Sequence, residues 1–171
     1  MGNQRGFSLI ELLIVVAIIL IIAAIAVPNL LRARIAANES SAVSSVRQIK
    51  TAEVSYSASY PSVGYAAALS HLGGASCAPP NAASACLLDS VVATAIPGSS
   101  GKSGYFLNAT GIAYSGLYAN FVAGASPVAV GRTGDREFCS SSDAVLRFEP
   151  ASGGTPPTTL AGCQSFSSIL Q

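Results

Sequence analysis

Sixteen consecutive apolar residues run from Leu12 to Val27, and with few polar interruptions the stretch extends from Phe7 to Leu31 before Arg32 closes it. As a helix rising ~1.5 Å per residue it reaches roughly 37 Å, enough to cross a hydrocarbon core about 30 Å thick. Later stretches do not repeat this. Residues 62–171 are rich in Ser, Ala, Gly and Thr, and Pro or Gly breaks each apolar run. Past Arg32 the pattern becomes amphipathic: Ala42, Val46, Ile49, Tyr56 and Tyr60 fall close to one helical face with Val43 beside them, whereas Asn38, Arg47 and Lys50 lie mostly off it. The helix is expected to end at Tyr60–Pro61, where proline lacks a donor and crowds the preceding residue. From Phe7 to Tyr60 such a helix is roughly 80 Å long. Without a sustained a/d heptad carrying charged flanks, that length suits a filament better than a coiled coil.

The remaining pattern predicts a small α+β head. Tyr65–Leu72 and Leu87–Ile96 read as short helical turns before Gly73–Gly74 and Pro97–Gly98. After Gly101 the period shifts to strands at Gly104–Asn108, Gly116–Ala123, Val128–Arg132 and Ala144–Phe148, separated by Gly, Ser, Asn and Asp. Four antiparallel strands against the amphipathic half of the long helix are therefore expected.

Composition narrows the function classes. Charged residues make up only 10% of the chain, with nine basic against eight acidic side chains, so no general attraction to nucleic acid or anionic lipid is built in. One His and no Trp leave few catalytic or metal-binding options. The apolar run by itself suits either a single-pass anchor or a secretory signal peptide cleaved after Ala26 at the small-x-small sequence Ala24-Ile25-Ala26. Glu11 fits neither comfortably, because a carboxylate at the head of an apolar span is costly and marks a function.

The order of features resolves this. A polar leader, Met1 to Arg5, ends in Gly6, and Phe7-Ser8-Leu9-Ile10-Glu11 then opens the apolar helix, with Pro28 further on. This resembles the type IV pilin family, including the pseudopilins of type II secretion systems. The resemblance covers roughly residues 1–60. It implies a type IV pilin-like fold, cleavage between Gly6 and Phe7 by a membrane-embedded prepilin peptidase, and N-methylation of Phe7 by the same enzyme. It also implies that the apolar helix is a membrane anchor before assembly and a filament core afterwards, with Glu11 neutralising the terminal amine of Phe7 on a neighbouring subunit. Many members carry Gly where this chain has Leu20, so unwinding toward the amino end is not expected here. A kink between Ala24 and Pro28 is, since Pro28 removes the hydrogen bond to the Ala24 carbonyl.

The expected organisation is a leader at 1–6, a membrane or filament-core helix at 7–31, an amphipathic helix at 32–60 and a head at 61–171. Arg32 and Arg34 on the carboxyl side of the span favour a cytoplasmic head by the positive-inside count. The four cysteines suit an oxidising compartment instead, and they agree with the family's external head. Three pairings are open to them. We favour two local bridges, Cys77–Cys86 and Cys139–Cys163, the second being similar to the bridge that closes the carboxyl-terminal loop of type IV pilins.

Other candidate chemistry is weak. His71 stands without a second ligand, and the cysteine spacings lack the close pairs of structural zinc sites. Asp135, Glu137 and Asp143 read as turn residues rather than a calcium loop. Arg132, Arg136 and Arg147 form a modest basic patch, short of a nucleic-acid footprint. Phe7, Tyr56 and Tyr60 lie too far apart along the helix for a stacked aromatic path, so packing is their expected role. No cofactor or metal is expected, and no catalytic residue. The expected function is a structural subunit of an extracellular type IV pilus, inserted in the bacterial inner membrane with its head in the periplasm. Its expected partners are copies of itself, the prepilin peptidase and methyltransferase, an assembly ATPase and the inner-membrane platform. The alternatives are a pseudopilin of a type II secretion system and a secreted binding module released after Ala26.

Overall fold

A computed structural model describes residues 8–74 and 79–170. Its first element, α1 (Leu9–Ser59), is followed by α2 (Leu69–Leu72) and α3 (Ser90–Ala93), then β1 (Tyr105–Tyr114), β2 (Leu117–Pro127), β3 (Arg136–Ser141) and β4 (Leu146–Pro150), and finally α4 (Leu160–Gln164) and β5 (Ser168–Ile169). Contacts divide the chain into two units at Arg34 and Ile35.

In the first unit none of the apolar side chains from Leu9 to Leu31 is buried. Helix α1 passes through Pro28 without interruption. Pro28 has no N–H to offer the Ala24 carbonyl, and one residue on, the Asn29 side-chain amide Nδ2 donates to the Ile25 carbonyl at 3.0 Å.

The second unit is α+β. The sheet is an antiparallel meander in the order β1-β2-β3-β4-β5. A two-residue loop, Ser115 (φ 51°) and Gly116 (φ 87°), joins β1 to β2. Both central residues carry the positive φ that matches a tight hairpin to the twist of its strands. From α1, Ala42, Val46, Ile49 and Tyr56 are buried, as their spacing predicts, together with Phe121 and Phe138 of the sheet. Val122 and Cys139, one residue out of step with Phe121 and Phe138, turn to the other face and pack with Cys163 and Phe166.

Several expectations are corrected. Val128–Arg132 is not a strand: the Thr133 hydroxyl donates to the Ala129 carbonyl and accepts from the Ala129 N–H, closing a turn in which Val128 and Val130 stay exposed. The third strand is Arg136–Ser141 instead, so Glu137 is a buried strand residue rather than a turn residue. Strands β1 and β2 run to Tyr114 and Pro127, well past the expected ends, and β4 is shifted to Leu146–Pro150. The short β5 and α4 were not expected, so the sheet has five strands rather than four. Of Tyr65–Leu72 only the last four residues are helical. The preceding stretch is extended along β1 and β2, with the Tyr65 N–H donating to the Tyr118 carbonyl at 2.9 Å and the Gly111 N–H to the Ala67 carbonyl at 3.2 Å. Within Leu87–Ile96 the helix is confined to α3, whose N–H groups at Val91 and Val92 donate to the Asp89 carboxylate at 2.7 and 3.0 Å.

One glycine is demanded by packing. A methyl at Gly134 would lie 1.9 Å from the Tyr105 hydroxyl. That hydroxyl belongs to a fully buried ring and donates to the Arg136 carbonyl at 2.9 Å.

Candidate functional site

Gly6 and Phe7 lie outside the described residues. Just beyond them, the Ser8 N–H donates to Glu11 Oε2 at 3.2 Å, so the carboxylate covers one of the donors that every helix start leaves free. Glu11 is exposed, and from Leu12 to Leu31 no further ionisable side chain follows. Among the described residues α1 is the one helix long and apolar enough to cross a membrane. Chemically, this surface can enter lipid or pack against other apolar helices, and its one charged group can choose among arrangements.

In the second unit α1 carries acids that the sequence reading missed. Glu39 is buried. Its Oε1 accepts the Asp135 N–H at 3.0 Å, and its Oε2 accepts Arg136 Nε at 2.8 Å and Nη2 at 2.5 Å. The Arg136 guanidinium also lies over the Phe138 and Phe148 rings, 5.7 and 5.2 Å from their centroids. Glu53, fourteen residues further along, is 0% exposed. Its Oε2 accepts the Ala66 N–H at 2.8 Å, while Oε1 has no partner. Burial pushes its carboxyl up to about 7, against the opposing pull of the Ala66 hydrogen bond. A signal for both was present: Glu39, Ala42, Val46, Ile49, Glu53 and Tyr56 recur at alternating spacings of three and four, so the acids lie on the apolar stripe itself.

The expected basic patch is divided. Arg136 is held by Glu39, and Arg147 Nη2 lies 2.6 Å from Asp143 Oδ2. Burial raises Asp143, but hydrogen bonds from Arg147, Ser141 and the Val145 N–H outweigh it and hold the acid below its ordinary value. Arg132 is exposed in the turn before β3. His71 is half-buried in α2. Among the described residues no three His, Cys, Asp or Glu side chains come together as a metal site.

Cys139 and Cys163 form a disulfide with Cα atoms 5.7 Å apart, fastening α4 to β3. Cys77 lies outside the described residues, so the Cys77–Cys86 bridge remains an expectation.

The prokaryotic N-terminal methylation motif matches residues 1–27. Over 39 residues the chain is 64% identical to the type IV wide pilus major component PilA4 of Thermus thermophilus, an alignment covering 23% of this chain and 30% of that protein. Over 54 residues it is 48% identical to the type IV major pilin protein PilA of Myxococcus xanthus, covering 32% of this chain and 24% of that protein. The alignments thus span less than a third of either relative. No solved structure matches the chain. The amino-terminal segment of the chain is thus similar to that of type IV pilins, and a long amino-terminal helix with a small antiparallel sheet gives the chain a type IV pilin-like α+β fold.

Proposed function

We propose that the chain is a structural subunit of an extracellular type IV pilus, made as a single-pass inner-membrane precursor, cleaved after Gly6 and N-methylated at Phe7. The observation that carries this reading is the exposure of every large apolar side chain from Leu9 to Leu31 on a helix headed by Glu11. Water is a poor environment for such a surface. Lipid and a bundle of like helices are both good ones, and transfer from one to the other gains little hydrophobic free energy, so packing and polar pairs select the arrangement. An unpaired Glu11 carboxylate in the bundle is costly, and pairing it with the Phe7 amine of the next subunit relieves the cost at one axial offset. Glu11 therefore sets register, and Pro28 marks where the helix can bend. With so small a driving force, growth calls for an energy-consuming platform and an ATPase as partners. The Cys139–Cys163 bridge suits a head folded outside the cytoplasm.

Shearing filaments from intact cells and sequencing their main protein by mass spectrometry tests this reading. A subunit beginning at N-methylated Phe7 is expected. A soluble protein beginning at Val27 would overturn it in favour of a secreted module, and the same processed chain confined to short periplasmic filaments would make it a pseudopilin. Glu11→Ala is expected to insert and fold normally yet yield few filaments, and normal assembly would remove the register role. A peptide map under non-reducing conditions is expected to join Cys77 to Cys86.

A further inference from the structure

Two oppositely charged features of the second unit have no ion-pair partner among the described residues. The first is a cleft of about 280 Å³ between α1 and the β4–β5 end of the sheet, with Val46, Leu146 and Ile169 among its walls and Arg47 and Lys50 along α1. No carboxylate among the described residues lines it. Among the described residues the two ion pairs are Arg136–Glu39 and Arg147–Asp143, so neither Arg47 nor Lys50 is paired with a described acid. Ser140 also lines the cleft. It is 1% exposed, its hydroxyl has no hydrogen-bond partner, and it lies on the same face of β3 as Phe138, turned toward α1. A buried hydroxyl beside two free cations is a donor set for an anionic oxygen.

The second feature is on the opposite face of the same strands. Glu137 of β3 and Glu149 of β4 are direct cross-strand partners. Like charges in that position repel. Glu137 is buried and turns Oε1 toward the Ser152 N–H and hydroxyl, whereas Glu149 is half-exposed and has no counter-ion among the described residues. The cation beside it in sequence, Arg147, is committed to Asp143. Burial and then the neighbouring Glu137 push the Glu149 carboxyl up, as an unrelieved acid pair requires.

We propose that Arg47 and Lys50 of one copy receive the Glu149 carboxylate of a second copy, with the Ser140 hydroxyl donating at the base of the cleft. Because the two patches lie on different faces of the head, each copy offers its acid to one neighbour and its cleft to another. The contact is head-to-tail and does not exhaust itself in a dimer, which is the symmetry an extending filament needs. It rests on the filament reading above and adds a contact between neighbouring head domains to the helix bundle.

Charge exchange in the full-length chain, read as sheared filament yield from cells, tests it. Lys50→Glu and Glu149→Lys are each expected to lower the yield about tenfold, the scale on which like-charge juxtaposition acts across an interface. Their combination is expected to restore it to within about twofold, which a folding defect in either single variant would not permit. In a second arm, Lys50→Cys with Glu149→Cys is expected to give a ladder of disulfide-linked subunits from intact filaments, and either change alone is not. Single variants that assemble normally, a combination that stays defective, or filaments without a ladder would each overturn the contact while leaving the pilus reading in place. Weakening by Lys50→Glu that Glu149→Lys never relieves would instead identify the cleft as a site for a small anion. A wild-type chain that makes no filaments would overturn both.

Discussion

Before Arg34, α1 turns branched apolar side chains outward; after Ile35, it turns two carboxylates inward. The local conformation is the same and the chemistry is inverted. In the first half the apolar residues are so dense that no face could be assigned to a core, and the surroundings must be supplied by lipid or by other copies. In the second half a stripe of small and apolar residues finds the sheet, and the acids on it are tolerable only because distant backbone N–H groups and Arg136 meet them. A helix thus has no environment of its own, and what surrounds it decides which residues are costly.

Changes confined to one half should therefore leave the other intact. The largest effect is expected from Ile18→Arg, which places a charge mid-span at a cost of about 3 kcal/mol on insertion scales. Membrane fractionation is expected to lose most of the protein, while the head of whatever material is recovered still folds, its Cys139–Cys163 bridge closing once that material is oxidised. Conversely, Cys139→Ser with Cys163→Ser is expected to destabilise the head by about 3 kcal/mol, seen as an earlier denaturant midpoint of the full chain in detergent, with membrane fractionation unchanged.

Glu53 sharpens the contrast through pH. Burial pushes its carboxyl up to about 7 in the folded head, against an ordinary value of 4.5. The folded state therefore keeps the proton while the unfolded chain releases it, and stability falls by about 3 kcal/mol as pH rises from about 4.5 to about 7, then levels. Denaturant titrations at pH 5 and pH 8 are expected to show the drop, and Glu53→Gln to abolish it with a gain at pH 8. An unchanged slope in that variant would assign the dependence elsewhere. The smallest effect is expected from Asp89→Ala, which leaves the Val91 and Val92 N–H groups without their cap and costs about 1 kcal/mol in the same titration.

How far the chain could be read in advance follows the range of the interactions involved. The apolar span, the helix stop near Pro61 and the face carrying Val46, Ile49 and Tyr56 depend on residues within a few turns of each other, and periodicity exposes them. Strand β3 does not announce itself. Its sequence Arg-Glu-Phe-Cys-Ser-Ser is polar, yet it is buried on both faces because Glu39 answers Arg136 from 97 residues away and Ser152 answers Glu137 from the following segment. Val128–Arg132 errs in the opposite direction, its alternating apolar pattern being overridden by the turn that Thr133 closes. At the amino end, Glu11 stood out because nothing near it could answer its charge. Glu53 is legible only through its place on the apolar stripe with Ala42, Val46, Ile49 and Tyr56, since the Ala66 N–H that meets it lies on a later segment.

The cystine between β3 and α4 has an evolutionary consequence. The last strand, β5, is only two residues long, so the tail is held by a covalent staple more than by its own ladder. Loops closed by such a staple lengthen cheaply, each doubling adding only ~0.6 kcal/mol of closure entropy. The exposed bend at Gly153 and Gly154 is thus where insertions can change the surface of the head without disturbing the scaffold beneath.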